Sequence, residues 1–207
     1  MEKTLVCDFD GTLVRYTTEI ELIRFLIRTK KNKIYHYLLS CLSVPLNCIA
    51  LYIFKRGTCF KAWTAFLSVE EQDLLFQQFS KEFNMNQLVN NHVLEIIQNF
   101  KGKKILLTGC YEPLANYILK ELHIYDEFDI IIGSKVGLFN FFVIQHPYGK
   151  DKINFLVNTY CSVGLGDSFS DKYFLDNCEK VYIINGNQKL QKYAVNNNWN
   201  YRIIHSD

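Results

Sequence analysis

Apolar residues in this chain cluster in short continuous runs, each stopped by a turn-forming or acidic residue. Thr4–Cys7 runs into Asp8-Phe9-Asp10-Gly11. Residues 104–108 end at Gly109, 128–132 at Gly133, 160–163 at Gly164 and 181–184 at Asn185-Gly186. Runs that do not alternate with polar residues suit strands covered on both faces, as in parallel sheets. Helix-length stretches lie between them, at 87–100, 112–122, 150–158, 169–177 and 188–197. From about residue 101 strand and helix alternate, which predicts an α/β fold with a parallel sheet and crossover helices. Residues 135–145 differ: two β-rich halves flank a turn near 138–140, which predicts a hairpin.

The first run is separated from the others by residues 13–100, whose pattern is helical throughout. This predicts a helical insertion, a cap over 14–100, on a core built from 1–13 and 101–207. Within it, residues 34–54 contain no Lys, Arg, Asp or Glu, a run long enough to cross a bilayer, for which roughly 20 residues suffice. Charge is uneven in the same region. Between Arg15 and Lys61 nine basic residues face only Glu19 and Glu21, a balance of +7, and the remaining 14 basic and 19 acidic residues leave −5 elsewhere. The overall +2 therefore sums two unlike parts, and it argues against a nucleic-acid partner.

A length of 207 residues suits one domain with an insertion. The seven cysteines form no C-x-x-C pair, so they read as separate reduced thiols in a reducing compartment. No secretion signal is legible before Asp8. His36, His92, His123, His146 and His205 lack ligand spacing and read as surface or core residues.

The chemistry concentrates at strand ends. Asp8 and Asp10, two residues apart after a buried run, would repel each other without structural gain unless they act on something. Three further pieces follow in order: Thr108-Gly109, Lys152, and Gly166-Asp167-Ser168-Phe169-Ser170-Asp171. This ordered set resembles the four motifs of the haloacid dehalogenase superfamily of phosphohydrolases. An insertion after the first motif resembles that superfamily's subclass IB, which includes phosphoserine phosphatases. Thr108-Gly109-Cys110-Tyr111-Glu112-Pro113, Gly149 to Leu156, and an apolar stretch ending in Lys55-Arg56-Gly57 resemble the phosphatidylglycerophosphatase C family more closely.

The resemblance implies a Rossmann-like core and a Mg²⁺-dependent hydrolase of phosphate monoesters. Asp8 would be the nucleophile that becomes an aspartyl-phosphate, and Asp10 the general acid and base, its backbone carbonyl also facing the metal. Asp8 and Asp167 would hold Mg²⁺, an oxygen-seeking cation, with Asp171 in support. Thr108 and the Gly109 backbone would bind the phosphoryl group. Lys152 is preferred as the motif lysine because Leu156 follows four residues later, with Lys150 as the alternative phosphate contact.

A phosphorylated lipid such as phosphatidylglycerophosphate is the expected substrate, with a small soluble phosphate ester and a non-catalytic membrane adaptor as alternatives. A single membrane crossing by 34–54 would put Asp8 on the opposite side from Thr108, Lys152 and Asp167. Basic flanks at both ends, with Pro45 and Asn47 near the middle, instead predict a re-entrant hairpin or interfacial helices on an anionic surface. That places the protein at the cytoplasmic face of the bacterial inner membrane. The alternative is that 34–54 is the core of a cap and the protein is cytoplasmic.

Overall fold

The computed structural model describes residues 2–28, 69–82, 88–136 and 143–205. Its centre is a seven-stranded sheet of order β4-β3-β2-β1-β5-β6-β7. The strands are β1 (Thr4–Cys7), β2 (Lys103–Tyr111), β3 (Ile130–Val136), β4 (Val143–Gln145), β5 (Cys161–Gly166), β6 (Cys178–Ile184) and β7 (Tyr201–Ile204). All neighbours are parallel except β3 and β4, the two arms of the predicted hairpin. Its turn lies outside the described residues.

β1 is wholly buried between β2 and β5, which is why its residues are apolar without alternation. Successive residues feed opposite faces: Leu5, Cys7 and Leu106 join one hydrophobic cluster, while Val6, Ile105 and Leu107 join the other. Helices α3 (Asn91–Asn99) and α4 (Glu112–Glu121) contribute Val93, Ile97, Leu114 and Ile118 to the first cluster. The one-turn α5 (Lys172–Leu175) and α6 (Gln188–Asn196) contribute Phe174, Leu175, Leu190 and Ala194 to the second. Asn90 and Asn187 accept from the backbone N–H of Val93 and Leu190, capping α3 and α6 at their first turns.

Two helices within the span 14–100 are described besides α3, namely α1 (Thr18–Arg28) and α2 (Val69–Glu82). They meet through Phe25 and Phe79, rings edge to face at 5.7 Å, and Phe76 sits 5.7 Å from Tyr117 of α4. Helix α3 falls within the 14–100 span, yet its buried residues pack with those of the sheet. The apolar run 34–54 lies outside the described residues. Among the described residues, no helix is long and apolar enough to cross a membrane.

Several local expectations give way to tertiary constraint. Residues 13–15 and 88–90 are not helical but run antiparallel, Asn90 N donating to Leu13 O (2.9 Å) and Arg15 N to Leu88 O (2.8 Å). The predicted helix at 150–158 is a 3₁₀ segment, Gly149–Phe155, and that at 169–177 is a 3₁₀ turn, Phe169–Asp171, followed by α5. Both segments deliver side chains to a shared ion pair, described below, and that geometry outweighs helix propensity. β7 was not legible, since its Tyr201 and Ile204 are half-buried and its Ile203 is exposed.

The cysteine reading is corrected as well. Cys161 and Cys178 form a disulfide, because the β5–β6 register sets them opposite each other with Cα atoms 4.6 Å apart. Pairing across adjacent strands needs no short sequence motif. Cys7 and Cys110 are buried in the core.

Leu106→Ala, in a fully buried site on β2, is expected to lower unfolding free energy by about 2–5 kcal/mol. Val195→Ala, on the exposed face of α6, is expected to change it by less than about 0.5 kcal/mol. Urea denaturation of the two variants checks this contrast.

Candidate active site

Because β1 stands between β2 and β5, the loops leaving these three strands diverge to opposite sides of the sheet. A crevice opens between such loops at the carboxyl ends of the strands. The first loop begins where Asp8 N donates to Leu165 O (3.0 Å). Phe9 is buried in the core and its carbonyl accepts from Val14 N (3.0 Å). The resulting tight turn sets Asp8 and Asp10 on its cavity side. Gly11 turns with φ +78°, and a Cβ there would overlap the Asp167 carboxylate. Only glycine permits both features.

Lys152 is the centre of the site. Its Nζ lies 2.7 Å from Asp8 Oδ1 and 2.7 Å from Asp171 Oδ1, with only 2% of the residue exposed. The ammonium also sits 5.1 Å from the centre of the Phe174 ring. Asp171 is held in turn, its Oδ2 accepting from Ser168 N (3.0 Å) and Ser168 Oγ (2.8 Å) in a capping box. Both Asp171 oxygens are thus engaged by protein donors. Burial works against the Lys152 charge, but Asp171 and Asp8 outweigh it and raise its pKa above the usual lysine range.

The carboxyl pKa values rise as well, which here favours the neutral form. Burial pushes Asp8 up to about 7 despite Lys152, with Asp171 and Asp167 adding to the rise. Asp167 is also raised to about 7, by burial and then by Asp171, against the hydrogen bond from Thr12 Oγ1 (3.3 Å). Oxygens of Asp8, Asp167 and Asp171 all lie within 4.8 Å of one another. Three carboxylates this close, served by one ammonium, form a hard-oxygen donor set that suits a divalent cation such as Mg²⁺.

Asp10 is outside this cluster. Its Oδ1 accepts from Thr18 N (2.9 Å) and Thr18 Oγ1 (2.8 Å) at the first turn of α1, where the backbone N–H groups favour an acid. Burial raises its pKa to about 7, and the Thr18 bonds offset part of that rise. These bonds engage the Asp10 carboxylate, whereas the metal contact expected of this residue is through its backbone carbonyl.

Asp8, Asp10, Thr108, Gly109, Lys152, Asp167 and Asp171 all line one cavity of about 430 Å³. Lys150 does not reach it: its side chain is exposed two residues upstream, so the alternative lysine is set aside. A larger groove, about 720 Å³, runs between α3 and strands β5 to β7 and contains none of these residues. The same cavity is lined by residues to which sequence alone assigned no role, Thr17, Glu19, Cys110, His146, Tyr148, Ser168 and Ser170. Thr12 and Thr18 hold Asp167 and Asp10 without having been foreseen. Thr18 carried one usable signal: it stands with an acid, Glu19, at a helix start.

The sequence profile of the haloacid dehalogenase-like hydrolases matches residues 5–175, a span containing every residue of this cavity. No curated protein matches the chain by sequence. Solved structures share the fold at low identity. A protein of unknown function from Bordetella pertussis Tohama I aligns with a TM-score of 0.70 at 12% identity, over 97% of this chain and 98% of that one. A substrate-bound phosphoserine phosphatase aligns at 0.53 and 13% identity, over 93% and 90%. A haloacid dehalogenase-like hydrolase from Streptococcus pneumoniae aligns at 0.50 and 16% identity, over 97% and 92%. With the four strand-end motifs meeting in one crevice and the profile covering most of the chain, this protein belongs to the haloacid dehalogenase-like hydrolase family.

Proposed function

We propose that the protein is a Mg²⁺-dependent phosphate monoester hydrolase working through an aspartyl-phosphate on Asp8. The observation that carries this reading is a buried carboxylate, Asp8, held by Lys152 and facing Asp167 across a cavity with Thr108 on its wall. Asp8 and Asp167 would hold Mg²⁺, which when bound supplies positive charge where a carboxylate and a phosphate must approach. Asp171 serves chiefly to orient Lys152, since its oxygens are already taken.

In the first step a carboxylate oxygen of Asp8 bonds to phosphorus as the bond to the ester oxygen breaks. Asp10 donates its proton to that departing oxygen, then takes one from the water that cleaves the acyl phosphate. The Thr18 bonds keep Asp10 in place for both transfers. Lys152 offsets the negative charge shared by Asp8 and the phosphoryl oxygens, and Thr108 donates its hydroxyl to one of those oxygens.

Residues 14–100 form the cap of this enzyme in our reading, a position supported by the antiparallel contact between 13–15 and 88–90 at its base. The substrate we favour is the terminal phosphate of a phospholipid, phosphatidylglycerophosphate being the example the resemblance suggests. Its support is the basic balance of residues 15–61 and the charge-free run 34–54, which suit an anionic membrane surface. A phosphatase panel of phospholipid and small soluble phosphates, with and without anionic vesicles, separates this from a small-metabolite enzyme. Preference for soluble esters irrespective of vesicles would remove the lipid assignment.

Asp8→Asn removes the attacking oxyanion and is expected to lower turnover by at least about a thousand-fold, with the fold retained. Full activity in Asp8→Asn, measured as phosphate release, would sink the covalent route.

The raised carboxyls make a second prediction. Asp8, Asp10 and Asp167 titrate near 7 in the folded, metal-free protein, against 3.8 ordinarily. The folded state therefore holds protons that the unfolded chain has released between about pH 4 and 7, and stability falls as pH rises through that window. Bound Mg²⁺ would replace the protons on Asp8 and Asp167, so it should raise the melting temperature more at pH 8 than at pH 5. Thermal melts at both pH values, with chelator or with Mg²⁺, check this; equal shifts at the two pH values count against a cation at these carboxyls.

A further inference from the structure

The hairpin of β3 and β4 ends beside the cavity, and two of its residues connect to the phosphoryl-binding loop. Ser134, fully buried on β3, places its Oγ 2.6 Å from Gly109 O and 2.8 Å from His146 Nδ1. A carbonyl oxygen can only accept, so the single serine proton goes to Gly109 O. The serine oxygen must then accept from His146, and Nδ1 carries a hydrogen. Neutral histidine and imidazolium both satisfy this arrangement.

The order continues beyond Gly109. The peptide whose carbonyl receives the Ser134 proton is the one whose N–H belongs to Cys110, and Cys110 N donates to Thr108 Oγ1 (3.0 Å). Thr108 Oγ1 thus accepts from behind. Its own proton remains to be donated, and Thr108 lines the cavity beside Asp8 and Lys152. All donors in the series point one way: His146 Nδ1–H to Ser134, Ser134 O–H to Gly109 O, Cys110 N–H to Thr108. Bonds aligned in this manner polarise one another in a low-dielectric interior.

The His146 ring is held from its other side by Tyr148, stacked at 5.6 Å and 15°. A Cβ on Gly109 would meet Tyr148 Cδ2 at 3.4 Å and His146 Cε1 at 3.7 Å, so both rings pack directly on the loop they brace. The hairpin itself is fastened to the start of α4, where Glu112 accepts from Gly133 N (3.0 Å) and pairs with Lys135 (3.2 Å).

We propose that His146 is a positioning residue which, through Ser134 and the Gly109–Cys110 peptide, orients and polarises the Thr108 hydroxyl toward a phosphoryl oxygen. The inference rests on the phosphate-ester reading of the cavity, and its test uses phosphate binding so that the two can fail separately. Inorganic phosphate affinity is measured by calorimetry on the Mg²⁺-loaded full chain, alongside kcat and KM for a phosphate ester. His146→Ala is expected to weaken phosphate binding about ten-fold, and His146→Asn, whose amide N–H can occupy the Nδ1 position, to recover most of the loss. In a Thr108→Val background, His146→Ala should add little further loss, because its effect travels through that hydroxyl.

Additive losses in the double variant, or an Asn variant as weak as Ala while both melt like the parent, overturn the proposal. Failure of the parent protein to bind phosphate overturns it too. If the parent binds phosphate in a His146-dependent manner but turns over no ester, the relay stands and the hydrolytic reading falls.

Discussion

The ammonium of Lys152, enclosed between Asp8 and Asp171, is the interaction on which the rest of the site depends. Without it two carboxylates would share a dry crevice with a third, Asp167, close by. Removing one partner of such a buried pair leaves an uncompensated charge, at a cost typically of about 3–5 kcal/mol. The pair also joins distant parts of the chain. Asp8 directly follows the first strand, Lys152 comes from the segment after the hairpin, and Asp171 from the 3₁₀ turn after β5, so the charges close the crevice from three directions. Its two short 3₁₀ segments, in places where sequence periodicity favoured longer helices, follow from the need to bring those groups together.

The sheet determines what this ion pair can face. Parallel strands direct their carboxyl ends to one edge, and β1 lies where the connections part to opposite faces. Asp8, Thr108 and Asp167 reach the same point because their strands are neighbours in register, not because the residues are close in sequence. Asp10 is brought in differently. It is fastened to the first turn of α1, so the proposed acid and that helix are mechanically joined.

Local features of this arrangement were legible in the sequence and non-local ones were not. A run of buried residues broken by Asp8-Phe9-Asp10-Gly11 announces a strand and a turn without reference to any other part of the chain. Lys152 could be preferred over Lys150 because the resembled motif carries an apolar residue four positions on, here Leu156, which is buried. By contrast, the partner of Asp10 depends on where α1 begins, and the Cys161–Cys178 bond depends on the β5–β6 register. His146 looked ordinary because its bonding partner, Ser134, sits on the opposite arm of a hairpin. β7 lacked the continuous apolar run of a central strand because an edge position leaves it partly exposed.

The antiparallel contact of residues 13–15 with 88–90 has a consequence for how such a protein can change over time. The two ends of the chain segment between these residues are held against each other by backbone bonds that use no particular side chain. Since closing a loop whose ends already meet costs little more as the loop lengthens, the intervening chain can gain, lose or replace residues while the strands beneath keep their spacing. Under the cap reading proposed above, the strand-end site and the chain between these contacts are separable inheritances, and selection on recognition can proceed without disturbing the reaction.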